Sequence, residues 1–84
     1  MDSGDGNQNV TEHVRNKHKI QELSKPELHK LLDCAMLSAK EREIMRLLYA
    51  ERRSTVYVAM KTGYAESTVR LKHKQIVEKL SRYL

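Results

Sequence analysis

Twice in this chain a serine precedes a glutamate by three residues, Ser24 with Glu27 and Ser38 with Glu41, and an apolar stripe follows each pair. A helix leaves its first N–H groups without partners inside the helix. The serine hydroxyl satisfies one of them while the glutamate reaches back to the serine's own N–H. Each pair therefore marks a helix start. Behind Ser24, the residues Leu28, Leu31, Leu32, Ala35 and Met36 recur at helical spacing, which predicts a helix from Lys25 to about Met36, with Pro26 harmless in its first turn. Behind Ser38, Ile44, Leu47 and Leu48 predict a second helix from Ala39 to about Ala50. Only Leu37 and Ser38 separate the two stripes, so the chain must turn a corner there.

Ser54 offers a third cap, and Gly63 a stop, because glycine takes the left-handed conformation that ends helices without steric cost. A short helix over Thr55 to Thr62 follows, although Thr55, Val56, Tyr57 and Val58 are residues that strands favour. After a turn at Gly63, Tyr64 and Ala65, no glycine or proline interrupts the stretch from Glu66 to about Arg82, which should be the longest helix. At the other end, residues 1–9 are polar after Met1 and predict disorder, while Val10, Val14, Ile20 and Leu23 are too sparse for more than a weak or docked helix. The expectation is an all-α fold: a largely disordered or weakly helical segment over 1–23, and a small four-helix domain over 24–84.

With 84 residues and neither Phe nor Trp, the chain has room for one aliphatic core. Its net charge of +5 is uneven: residues 1–50 hold 8 basic and 8 acidic side chains, residues 51–84 hold 8 and 3. A basic last third suits a polyanionic partner, since neutralising phosphates releases their condensed counterions. Cys34, the lone cysteine, sits among Leu32, Ala35, Met36 and Leu37 in sequence and reads as core filler. No apolar run approaches a membrane span and no signal peptide opens the chain, so the expected location is the cytoplasm, away from membranes.

Two helices joined by a short glycine-containing turn, the second set across the first, form the helix-turn-helix arrangement that enters the DNA major groove. Residues 55–74 have its inner pattern, with Ala59 at the crossing, Gly63 at the turn and Val69 facing back. At 100° per residue, Val69, His73, Ile76 and Leu80 share an arc of about 60°, leaving Ser67, Arg70, Leu71 and Lys74 on the opposite face. Those four carry groove-reading chemistry. Arginine grips guanine bidentately, serine donates or accepts, and leucine meets a thymine methyl. Lys72, Lys74 and Lys79 suit phosphates.

The stretches LSAKEREIMRLLY and STVYVAMKTGYAESTVRLKHKQIVEKL resemble region four of bacterial RNA polymerase sigma factors and the related LuxR-type output domains. The likeness covers Leu37 to Leu80 and rests on Leu37, Ser38, Glu41, Arg42 and Glu43, the pair Ala59 and Gly63, the run Ser67, Thr68, Val69, and the closing Lys79 and Leu80. It implies a tri-helical core whose last helix reads DNA through Ser67, Arg70, Leu71 and Lys74. Thr55, Tyr57 and Thr68 match positions that touch backbone phosphate, and Lys72 joins them in that role. The implied function is a region-four-like transcriptional regulator that binds double-stranded DNA, with RNA polymerase and a second copy as further partners. Three residues depart from the pattern: Ala65 replaces a capping Ser or Thr, while Thr62 and His73 replace aliphatic residues.

His13, His18, His29, His73 and Cys34 have no metal-site spacing, and neither a phosphate loop nor paired catalytic carboxylates occur. The expectation is a non-enzyme without metal or cofactor. The rival reading is a protein-interaction module docking on RNA polymerase or an anti-sigma-type partner through Leu28, Leu31, Leu32 and Met36. Against it, a domain this small needs those residues for its own core. A helical bundle without nucleic-acid contact would leave the basic last third unexplained.

Overall fold

The computed structural model describes residues 4–84, with side chains from Glu12 onward, and every element in it is helical. Five α-helices follow one another: α1 (Gly4–Gln21), α2 (Lys25–Cys34), α3 (Ala39–Met45), α4 (Thr55–Thr62) and α5 (Glu66–Leu80). A π-helical turn, Arg46–Ala50, extends α3, and a single 3₁₀ turn, Ser81–Tyr83, follows α5. The count exceeds the expected four because α1 is a long helix docked on the rest. The disorder expected for residues 1–9 concerns positions whose side chains lie outside the described residues, although the backbone of α1 begins at Gly4.

Both capping boxes form. Ser24 Oγ accepts the Glu27 N–H at 3.3 Å and Ser38 Oγ the Glu41 N–H at 3.2 Å. In return each serine N–H donates to its glutamate Oε1 at 2.9 Å. Losing such a cap costs about 1 kcal/mol. The corner between them is longer than the apolar stripe suggested, running from Ala35 to Ser38. Helix α2 stops at Cys34, and Met36 takes a φ of 52°, the left-handed value that lets so short a connection reverse, which leaves Met36 88% exposed and Leu37 buried. Met36 is thus part of the turn and not of the stripe. Cys34 is exposed as well, since it lies about 240° around the axis from Leu28, off the buried face. Leu28, Leu31 and Leu32 are buried in the domain's own core and offer no docking surface.

Helix α3 was expected to stay regular to Ala50. Instead the wider turn bonds Glu51 N–H to Arg46 C=O at 3.0 Å, five residues apart, and the Arg46–Glu51 ion pair closes over the same spacing. Through this turn Tyr49 enters the core while Leu48 stays half-buried. Ser54 caps α4 by accepting the Tyr57 N–H at 3.2 Å, and Gly63 ends it at φ 82°. No atom lies within 4 Å of where a Gly63 Cβ would sit, so backbone conformation alone requires the glycine. Thr62 resolves its departure from an aliphatic residue by donating its hydroxyl to Val58 C=O at 2.7 Å, four residues back, so its hydroxyl is satisfied within the core.

Helix α5 is the hub, since α1, α3 and α4 all pack on it and its Val69, Ile76, Val77 and Leu80 are fully buried. Helix α1 lies antiparallel along one flank: Glu12, His13 and Asn16 adjoin Lys74, Val77, Glu78 and Ser81, and further on Lys17 and Gln21 adjoin Arg70 and His73. Ile20, 1% exposed, anchors α1 in the core. Replacing Ile20 with Ala should cost about 2–5 kcal/mol of unfolding free energy in urea titrations, the range for buried Ile truncations. A loss near zero would mean that α1 is not docked.

Candidate nucleic-acid interface

The buried seam of α5 determines what its opposite face presents. Ser67, Arg70, Leu71 and Lys74 are all exposed, Leu71 to 56%, while Val69, Ile76 and Leu80 are sealed beneath them. The angular count missed only Val77, which joins the buried seam on the side that α1 covers. Helix α5 begins at Glu66 with Ala65 in the cap position at ψ 156°, and no side chain caps it. Its leading N–H groups therefore remain open at the end where Ser67 stands.

The neighbouring positions are arranged around two tyrosines. Arg53 lies over the Tyr57 ring at 4.7 Å and Lys61 at 5.9 Å, while Lys40 and Lys72 lie over Tyr64 at 4.8 and 5.9 Å. Each ring supports two cations, although Arg53 also pairs with Glu51 at 3.5 Å. Lys40 is further tied down by donating to Thr62 C=O at 2.5 Å, at the C-terminal end of α4. Thr55, Tyr57, Thr68 and Lys72, the positions expected at phosphates, are all half-buried at the rim of the α4–α5 pair. Not every cation is available. Lys79 binds Glu41 at 3.2 Å and so ties α5 to α3, whereas Arg70 is held by Glu66 one turn away at 3.1 Å. The second pair is exposed on both sides, and such a pair is worth little and exchanges readily for another anion.

Behind this face, His73 meets the tyrosine delivered by the π turn. Tyr49 is buried, which raises its pKa, so its O–H stays protonated and shares a hydrogen bond with His73 Nε2 at 2.5 Å. Burial, with Lys17 and His13 adding like charge, lowers the His73 pKa from 6.5 to about 4, so the ring is neutral. His13 of α1 stands edge-on to it at 6.0 Å and is itself lowered by burial, then by Lys17 and Lys74, with Glu78 opposing. Sequence reasoning placed His73 in the seam but found neither Tyr49 nor α1 as its partners. A spacing signal existed in α1, where His13, Lys17 and Ile20 share one face. Its polar members concealed it.

Among the described residues no group of three His, Cys, Asp or Glu side chains is placed to hold a metal ion, and no helix is long and apolar enough to cross a membrane. Comparison with family models, with curated proteins and with solved structures finds no match for this chain.

A pH dependence follows from His73. Its folded pKa of about 4 lies below the unfolded 6.5, so on acidification the unfolded chain takes up the proton first. Stability should be full above pH 6.5, fall as the pH drops towards 4, and lose nothing further from this group below that. Thermal melts across this range should show the decline, and the H73Q variant should show a shallower one. Identical curves for the two proteins would remove His73 from the account.

Proposed function

We propose that this chain is a DNA-binding regulator of transcription in the manner of sigma factor region four, with α4, the Gly63 turn and α5 acting as the helix-turn-helix. The observation that carries the reading is the two-sided α5. One face is wholly committed to the core, and the other displays a hydroxyl, a guanidinium, an aliphatic group and an ammonium from Ser67, Arg70, Leu71 and Lys74 on a rigid rod. Such a helix fits the major groove, where arginine reads guanine and an apolar tip reads the thymine methyl. On binding, Arg70 exchanges Glu66 for a base edge. The ring-supported Arg53, Lys61 and Lys72, with Thr55, Tyr57 and Thr68, face phosphates on either side, a non-catalytic role that needs no cofactor.

A second reading draws support from a particular surface. Met60 is 77% and Val56 51% exposed, one helical turn apart on α4, an apolar pair that a protein such as RNA polymerase, an anti-sigma-type partner or a second copy would cover. The two readings are compatible, since α4 and α5 present different faces.

Titrating duplexes with the full chain at two salt concentrations tests the proposal. Affinity should fall steeply with salt, as phosphate binding demands. R70Q should lose about 1–3 kcal/mol of discrimination at one base pair, and K74Q should flatten the logarithmic salt slope by about 0.9. Unchanged binding in both variants would favour the protein-docking reading, and no binding at low salt would end the DNA reading.

A further inference from the structure

Helix α1 contributes a charge to a place where the fold had no structural need of one. Its Lys17 lines a cleft with Gln21, Thr55, Arg70 and His73, with Leu48 and Tyr49 of the π turn completing the wall, so four elements meet there. Lys17 has no carboxylate ion-pair partner among the described residues, and Arg70 has only the exposed Glu66. Two cations at one cleft give it a positive potential that an anion would neutralise. Both His13 and His73 register the proximity of Lys17 as a downward pull on their pKa.

The arrangement is held firmly. Arg52, at a left-handed φ of 55°, donates from Nη2 to Gln21 C=O at 3.2 Å, which ties the end of α1 to the loop leading into α4. Ile20 secures the same turn of α1 from the core side. The turn of α1 that carries Lys17 is thereby fixed at the flank of α5.

We propose that the cleft between α1 and α5, walled by Lys17 and Arg70 with Thr55 at its end, seats a backbone phosphate of the duplex that α5 reads. This rests on the DNA-binding reading above and adds α1 to the interface. Helix α1 then acts as a second wall beside α5, widening the surface that meets the phosphate backbone. Arg70 serves both sides, with its guanidinium between the base edge and the phosphate that Lys17 holds. Because Lys17 meets phosphate and no base, its contribution is independent of sequence.

Fluorescence anisotropy of labelled specific and random duplexes, titrated with the full chain over about 50 to 200 mM salt, tests this. K17Q should lower the logarithmic salt slope by about 0.9 on both duplexes, weaken binding several-fold at the low-salt end, and leave the preference between duplexes unchanged. K17R should retain the wild-type slope. K30Q, an equal charge change on α2 beside Leu31 and Tyr83, should also retain it. Circular dichroism melts establish that each variant is folded, and K17R supplies the comparison if K17Q is not. A folded K17Q with the wild-type slope, or a K30Q as impaired as K17Q, overturns the phosphate seat while the DNA reading stands. Absence of wild-type binding at low salt instead overturns the DNA reading, and the phosphate seat with it.

Discussion

The burial of one side of α5 is the constraint on which the rest of this structure depends. Val69, Ile76, Val77 and Leu80 have no solvent exposure, and α1, α3 and α4 are all organised around them. Fully burying such a side chain is worth about 1.5–3 kcal/mol, so this seam supplies much of what a domain of this size has to offset its conformational entropy. Since a helix cannot rotate once one face is locked, the seam also decides which side chains face outward. Stability and the composition of the exposed face are thus set by the same four residues.

Local signals were the ones readable in the sequence. The caps at Ser24, Ser38 and Ser54, the stop at Gly63 and the angular split of α5 depend on residues within a turn or two of each other, and the structure has each of them. What was not readable depends on partners distant in the chain. Ala39 to Ala50 carries an ordinary helical stripe, yet the last turn widens so that Tyr49 reaches His73, 24 residues away. Met36 and Cys34 are apolar by composition but exposed, Met36 because it takes the left-handed position in the turn after α2 and Cys34 because it lies off the buried face of α2. The face of α1 was hidden for a related reason: two of its inward residues, His13 and Lys17, are polar.

The α5 face and the joint behind it are connected through α1. The neutral His73, held by Tyr49 and covered by His13, is where α1 rests on α5, and Lys17 and Arg70 line the cleft beside that contact. A neutral imidazole is required there, because a charged one would add a further cation to Lys17 and Arg70. Desolvation keeps it neutral. The same packing that secures α1 therefore also tunes the charge of the surface beside the proposed reading helix.

Whether DNA meets the outward face of α5, as proposed, is read from the backbone amide chemical shifts of the full chain, followed by NMR as a duplex is added. Perturbations should concentrate at Ser67, Arg70, Leu71 and Lys74 and extend to Thr55 and Lys17, with Leu31, Cys34 and Tyr83 unmoved. Perturbations confined to α2 and the C-terminal turn, with the α5 face silent at saturating duplex, would contradict it.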